Sequence, residues 1–334
     1  MPHYTLPHDL QLECGERLRT PTVFYQTWGS PNADQSNVVW VCHALTANAD
    51  VMDWWAGLFG PGCCFDAARH YIICANTLGS CYGSTEPLSA VPGTQAPYYY
   101  DFPLLTIRDM VAGHRALADH LGIERISVLI GGSIGGQQVL EWAIQEPERI
   151  RQIVPIATNA KHSPWGIAFN ASQRMAIETD PTWGERQPNA GAEGMKVARS
   201  IALLSYRNYD TYDATQQTPD ERITDYRAES YQRYQGEKLA RRFNALSYHY
   251  LTRAMDSHDV GRGKGGAAAA LQRIQARALV IGVANDLLFP VAEQELLAAH
   301  IPDATFDAID SPYGHDGFLL ETAQLTDCIS RWLS

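Results

Sequence analysis

The chain has 334 residues, 45% apolar and 19% charged, with a formal net charge of −11. That composition excludes a disordered chain and allows a large buried core. The acidic balance argues against nucleic acid or an anionic membrane as the main partner, while leaving room for a small anion in a local basic pocket. The first ten residues carry no basic and apolar leader pattern, and no apolar run approaches the ~20 residues of a membrane span, so a soluble, cytoplasmic protein is expected. Seven cysteines, an odd number without a C-x-x-C pair, read as reduced thiols, and Cys42, Cys74 and Cys328 lie in apolar runs. No zinc-type H-E-x-x-H occurs, and no metal is expected.

In chain order, Val38–Cys42 and Tyr71–Ala75 are short continuous apolar runs, as in strands buried on both faces. Residues 107–121 have helical periodicity, and Gly122 follows as a stop. A strand at 126–130, a helix at 136–145 ended by Pro147, and a strand at 153–157 continue the rhythm. Alternation of this kind specifies a parallel sheet covered by helices on both faces. From about 159 to 259 no strong strand run appears. Helices are expected at 192–206 and 237–255, which makes this segment a helical insertion over the sheet. The run GRGKGGAAAA (261–270) reads as a flexible return and a helix start. A strand at 278–283, a helix at 291–300, a strand at 306–309 and a helix at 317–333 complete the chain. The expected domains are thus a core of 1–158 with 268–334 and an insertion of 159–267.

The strongest chemical signal is G-x-S-x-G at Gly131, Ser133 and Gly135. It stands between a buried strand and a helix, as a nucleophile elbow requires, and marks an α/β-hydrolase fold. The turn demands small neighbours, and the helix N-terminus behind it offers N–H groups to a developing oxyanion. Serine needs a base. The chain order of this fold is serine, acid, histidine, which selects Asp286 just past the 278–283 strand and His315 in the loop after the last strand. Asp303 and Asp310 compete with Asp286 but come too late. The oxyanion donors are expected to be the backbone N–H groups of Leu45, in the loop after the Val38–Cys42 strand, and Ile134. His43 reads as structural.

These pieces resemble the homoserine O-acetyltransferase family. The matching stretches are HALTANAD (43–50), NTLGSCYGSTEP (76–87), GGSIGGQQVLEWA (131–143), ARSIALLSYR (198–207), YLTRAMD (250–256), NDLLFP (285–290) and GHDGFLLE (314–321), in order over nearly the whole chain. The resemblance implies ping-pong acetyl transfer, a step of methionine biosynthesis. It implies acetyl-CoA as the donor substrate, L-homoserine as the acceptor, and no permanently bound cofactor. It also implies that Arg199 holds the substrate carboxylate, that Tyr206 shares the pocket, that Asp316 holds the amino group, and that the protein is a homodimer. By its own sequence context Arg199 reads as a solvated helix residue and Asp316 as a turn residue. Glu86 stands where the family often has glycine, and Ile134 where it often has methionine. A succinyl donor, a serine acceptor, or water as acceptor in an esterase are the alternatives. Arg262 and Lys264 are candidates for the CoA phosphates, although a solvated loop is the plainer reading.

Overall fold

A computed structural model describes residues 2–334. The strands are β1 (His3–Thr5), β2 (Leu10–Gln11), β3 (Arg17–Leu18), β4 (Thr22–Trp28), β5 (Val38–Cys42), β6 (Tyr71–Ala75), β7 (Ile126–Gly132), β8 (Ile150–Ile156), β9 (Arg277–Val283) and β10 (Ala304–Ile309). The helices are α1 (Val51–Trp54), α2 (Ile107–His120), α3 (Ile134–Gln145), α4 (Pro164–Glu178), α5 (Ala192–Tyr206), α6 (Tyr209–Gln216), α7 (Arg227–Ala240), α8 (Ala245–Asp256), α9 (Ala267–Leu271), α10 (Val291–His300), α11 (Gly317–Leu320) and α12 (Thr322–Leu333).

Eight strands form one sheet in the order β1-β4-β6-β5-β7-β8-β9-β10. The pairs from β6 to β10 are parallel, and β4 and β1 add an antiparallel edge. β2 and β3 form a separate hairpin. The apolar runs of the central strands serve both faces by alternation. Trp40, Leu129, Ile153 and Val280 face α3 through Val139, Leu140 and Trp142. Their neighbours Val39, Val41, Ile130, Val154 and Ile281 face the α12 side through Leu325, Ile329 and Trp332. Each such side chain taken fully out of water contributes roughly 1.5–3 kcal/mol.

Between β8 and β9 the chain leaves the sheet as helices α4 to α8. A third apolar cluster seats them on the core: Leu45, Ile107, Met110 and Ile134 meet Met195, Ala198, Leu239 and Tyr248. The expected 237–255 helix is two helices. α7 ends at Ala240, and the Asn244 side chain accepts from the Ser247 N–H at 2.7 Å to restart the chain as α8. α4 went unforeseen although its start signal was present, with Ser163 as cap and Pro164 in the first turn. The antiparallel edge was also unforeseen, because β1 has only three residues and no buried run. α3 begins two residues earlier than expected, directly after Ser133.

His43, His114, His162 and His258 are among the histidines that lie deep in this framework. Burial pushes His43 and His114 down to about 4, and His162 and His258 down to about 3. An unfolded histidine titrates near ~6.5, so below that pH the unfolded chain binds more protons than the native one. The stability these neutral rings contribute is complete above pH ~6.5 and is lost as pH falls toward 4 and below, at up to ~1.4 kcal/mol per pH unit for each ring. Glu293, which burial pushes up to about 7, acts in the opposite sense between about 7 and its ordinary value. The melting temperature is therefore expected to fall steeply from about pH 6 to 4.5. A flat calorimetric profile across that range contradicts this account.

Candidate active site

β7 delivers Ser133 into a tight turn with φ 58° and ψ −126°, and α3 starts at the next residue. A non-glycine residue held at positive φ costs of order 1–3 kcal/mol and persists only where the surroundings fix it. Here the Ser133 N–H donates to the Ile156 carbonyl at 2.9 Å, and the Thr158 hydroxyl donates to the Ser133 carbonyl at 2.8 Å. The flanking glycines are sterically required. A Cβ on Gly131 would stand 2.6 Å from the Gly135 carbonyl carbon, and one on Gly135 would overlap the Cys42 carbonyl.

Asp286 follows β9 and is fixed by its own loop. Its Oδ1 accepts from the Leu288 and Phe289 N–H groups, each at 2.8 Å. Its Oδ2 lies 2.6 Å from His315 Nδ1. Both side chains are buried, and the His315 ring stacks on Phe289 with centroids 5.1 Å apart. Ser133 and His315 open onto one cavity of about 70 Å³, whose wall also includes Leu45, Arg199, Tyr206 and Asp316. No hydrogen bond joins the Ser133 hydroxyl to His315 among the described residues; a contact of this kind commonly tightens only when substrate binds. The Ile134 N–H, the first of α3, has no carbonyl one turn behind it and is available to a ligand oxygen. His43 has the structural place expected. Its Nε2 accepts from the Thr77 N–H at 2.9 Å, which leaves the Nδ1–H to donate to the Ala44 carbonyl at 2.8 Å and brace the Leu45 loop.

The helical insertion supplies the opposite wall. The Arg199 guanidinium lies over the Tyr206 ring, 5.3 Å from its centroid. Burial pushes the Tyr206 phenol up, partly opposed by Arg199, so it remains a neutral hydrogen-bonding group. Asp316 is within 2.8 Å of Arg207 Nε, an ion contact whose N–H is too poorly aimed to count as a hydrogen bond. The structure thus brings all eight sequence-selected residues to this region, with Ile134 behind Ser133.

Sequence reasoning missed the layer beneath the elbow. Gln137 Nε2 donates to Asn159 Oδ1 at 3.1 Å, and Asn159 Nδ2 donates to Glu293 at 2.9 Å. Burial, with the nearby Asp286 charge, pushes Glu293 up to about 7. No motif marks these residues. Arg207 lay at the end of the ARSIALLSYR stretch but was given no role.

The reading of Arg262 and Lys264 as phosphate ligands is corrected. Arg262 pairs with Glu13 at 2.8 Å, and Lys264 pairs with the buried Glu141 at 3.1 Å. Their charges are spent on holding the 261–266 turn to the core, and neither lines the cavity.

This fold and elbow define an α/β hydrolase, and a family model described as "alpha/beta hydrolase fold" matches residues 37–322. Among curated proteins, a homoserine O-acetyltransferase of Cyclobacterium marinum is 50% identical, covering 95% of this chain and 90% of that protein. One of Chlorobium luteolum is 41% identical, covering 99% and 93%. The chain belongs to the homoserine O-acetyltransferase family, as its motifs led us to expect. Among solved structures, the Bacillus anthracis homoserine O-acetyltransferase superposes with a TM-score of 0.91 at 23% identity, covering 100% of this chain and 97% of that one. Esterase E22 superposes with a TM-score of 0.90 at 21% identity, covering 100% and 99%; both likenesses are of fold.

Proposed function

We propose that this protein transfers an acetyl group from acetyl-CoA to the side-chain hydroxyl of L-homoserine through an acyl-Ser133 intermediate. His315 takes the Ser133 proton as the oxygen attacks the thioester carbonyl. The oxyanion is met by the N–H groups of Leu45 and Ile134, and the CoA thiolate leaves with the proton from His315. Homoserine then enters. His315 takes its hydroxyl proton, the acyl group moves to that oxygen, and the proton returns to Ser133. Asp286 holds His315 in the tautomer that leaves Nε2 free to accept.

The observation that carries this reading is the buried His315–Asp286 pair at 2.6 Å sharing one cavity with Ser133, Arg199 and Asp316. A hydrolase needs only the first three. Arg199 offers a planar fork to a carboxylate and Asp316 an anion to an ammonium group, a combination suited to an amino acid. A cytoplasmic setting and a homodimer belong to the same proposal. Apolar Met175, Val197, Leu204 and Ile223 stand exposed on or between the inserted helices and are the surface we assign to the dimer contact; a monomer mass in sedimentation would remove it.

The test is to mix the protein with acetyl-CoA and a thiol reagent, with and without homoserine, and to weigh the intact protein. CoA release should be a single stoichiometric burst alone and should turn over only when homoserine is added. Release that continues without homoserine identifies a hydrolase. A labelled serine product, or acylation by succinyl-CoA alone, would replace the acceptor or the donor.

A further inference from the structure

α10 begins just past the Asp286 loop, and two neighbouring residues near its N-terminus reach inward. Glu293 accepts from Asn159 Nδ2 at 2.9 Å, and Asn159 Oδ1 accepts from Gln137 Nε2 on α3 at 3.1 Å. Gln294 Nε2 donates to the Thr158 carbonyl at 2.6 Å, and the Thr158 hydroxyl donates to the Ser133 carbonyl at 2.8 Å. Two parallel chains of hydrogen bonds thus run from the acid's side of the site, through residues 158–159, to the elbow. Neither passes through His315. Gln137, Thr158, Asn159 and Gln294 are all buried. Connected polar groups in a low-dielectric interior hold one arrangement firmly.

Glu293 is the ionisable member of these chains. An acid in the first turn of a helix ordinarily faces water and the positive end of the helix dipole. Glu293 instead is half-buried against Asn159 and has no cation to balance it. α10 packs on β9, β10 and α9. The charged groups of those strands are Arg277, which lies over the Trp332 ring, and Asp307, which pairs with Arg331; both are engaged on the α12 side, and α9 carries no charge. On α10 itself Glu295 is exposed and His300 stands at the far end. On the 158–162 segment Lys161 pairs with Asp259 at 3.2 Å. His258, whose Nε2 lies 2.9 Å from the Asn159 carbonyl, is kept neutral by burial. The charge that does bear on Glu293 is that of Asp286, which adds to burial in pushing the carboxyl up to about 7.

We propose that Glu293 is a positioning residue for acyl transfer, holding the elbow through Asn159 and Gln137 and supplying a second carboxylate near Asp286 against the positive charge that His315 acquires. The assignment rests on the acyl-Ser133 reading above and deepens it. The Ser133 proton passes to His315 Nε2 as the oxygen attacks, and Glu293 neither gains nor loses a proton in that step. Its charge acts across Asp286. With Glu293 neutral, Asp286 alone balances the imidazolium. With Glu293 ionised, two carboxylates do, and an opposite charge nearby favours the charged form. Acylation should therefore quicken as Glu293 ionises.

The rate of Ser133 acylation by acetyl-CoA, followed by rapid mixing from pH 6 to pH 8, tests this on the full chain. Glu293→Gln keeps an acceptor for Asn159 and removes the charge. Its deficit against wild type should grow about three- to tenfold across that range, the size of one screened charge, with little change in KM for acetyl-CoA. A deficit equal at every pH reports a merely mechanical role and overturns the assignment, as does undiminished acylation at pH 8. Should this variant fail to fold, carbon-13 spectra of wild type and Asp286→Asn labelled at the glutamate carboxyls decide the matter. One carboxyl should titrate near pH 7 in wild type and at a clearly lower pH once the Asp286 charge is gone. Absence of that carboxyl, or a midpoint that ignores Asp286, overturns the assignment. A wild type that shows the coupled titration but never acylates Ser133 defeats the acyl-serine reading, and the role assigned to Glu293 falls with it. Normal acylation with a pH-independent deficit defeats this inference alone.

Discussion

Ser133→Ala should lower acetyl transfer by about 10⁴ to 10⁶ while the protein stays folded. The substitution removes one oxygen and little else. Alanine at φ 58° is as strained as serine, and the Ser133 N–H bond to Ile156 and the Thr158 bond to its carbonyl are backbone contacts that alanine retains. The melting temperature should therefore shift little, and intact mass after acetyl-CoA exposure should show no adduct. Full turnover in this variant, or an acetyl group mapped to another residue, would transfer the chemistry elsewhere. Ser133→Gly is a useful companion, since glycine tolerates positive φ and should relieve strain while being equally inactive.

Asp286→Asn should cost about 10⁴ in turnover, for a reason specific to this loop. Asp286 Oδ1 is held by two backbone N–H groups, from Leu288 and Phe289. An asparagine must turn its carbonyl oxygen toward those donors, because its amide NH₂ cannot accept from them. Its NH₂ then faces His315 Nδ1, which has to become an acceptor. The ring proton moves to Nε2, and the imidazole can no longer take a proton from Ser133. Raising the pH does not repair a wrong tautomer, so the loss should persist across the alkaline range. A loss below about tenfold would show that Asp286 does not set the histidine's proton.

Much of this site was legible in the sequence because each part carries a local signature. Ser133 stands where a buried run meets a helix between glycines, and the structure shows that both glycines sit where a Cβ would clash. Asp286 and His315 follow from chain order and from the strands before them. Arg199 was different. Its context reads as an ordinary helix position, and only the resemblance gave it a role. What stayed illegible depends on distant partners. Arg262 and Lys264 looked free in a glycine-rich run, but their carboxylates come from Glu13 and Glu141, 249 and 123 residues away in the chain. The break at 241–244 was missed because apolar periodicity continues across it, while the decisive residue, Asn244, acts through a single cap bond.

The inserted helix α5 contributes Arg199 and Tyr206, whereas Ser133, Asp286, His315 and Asp316 all come from segments that follow sheet strands. On the reading proposed here, the grip on the acceptor's carboxylate is inherited on a stretch of chain separate from bond-making, while the grip on its ammonium group, Asp316, adjoins His315. A lineage could exchange one alcohol for another, or for water, by rewriting that helix and the one position after His315 while the reactive trio stayed untouched. That is a physical route by which near-superimposable scaffolds come to host both esterases and amino-acid acylating enzymes.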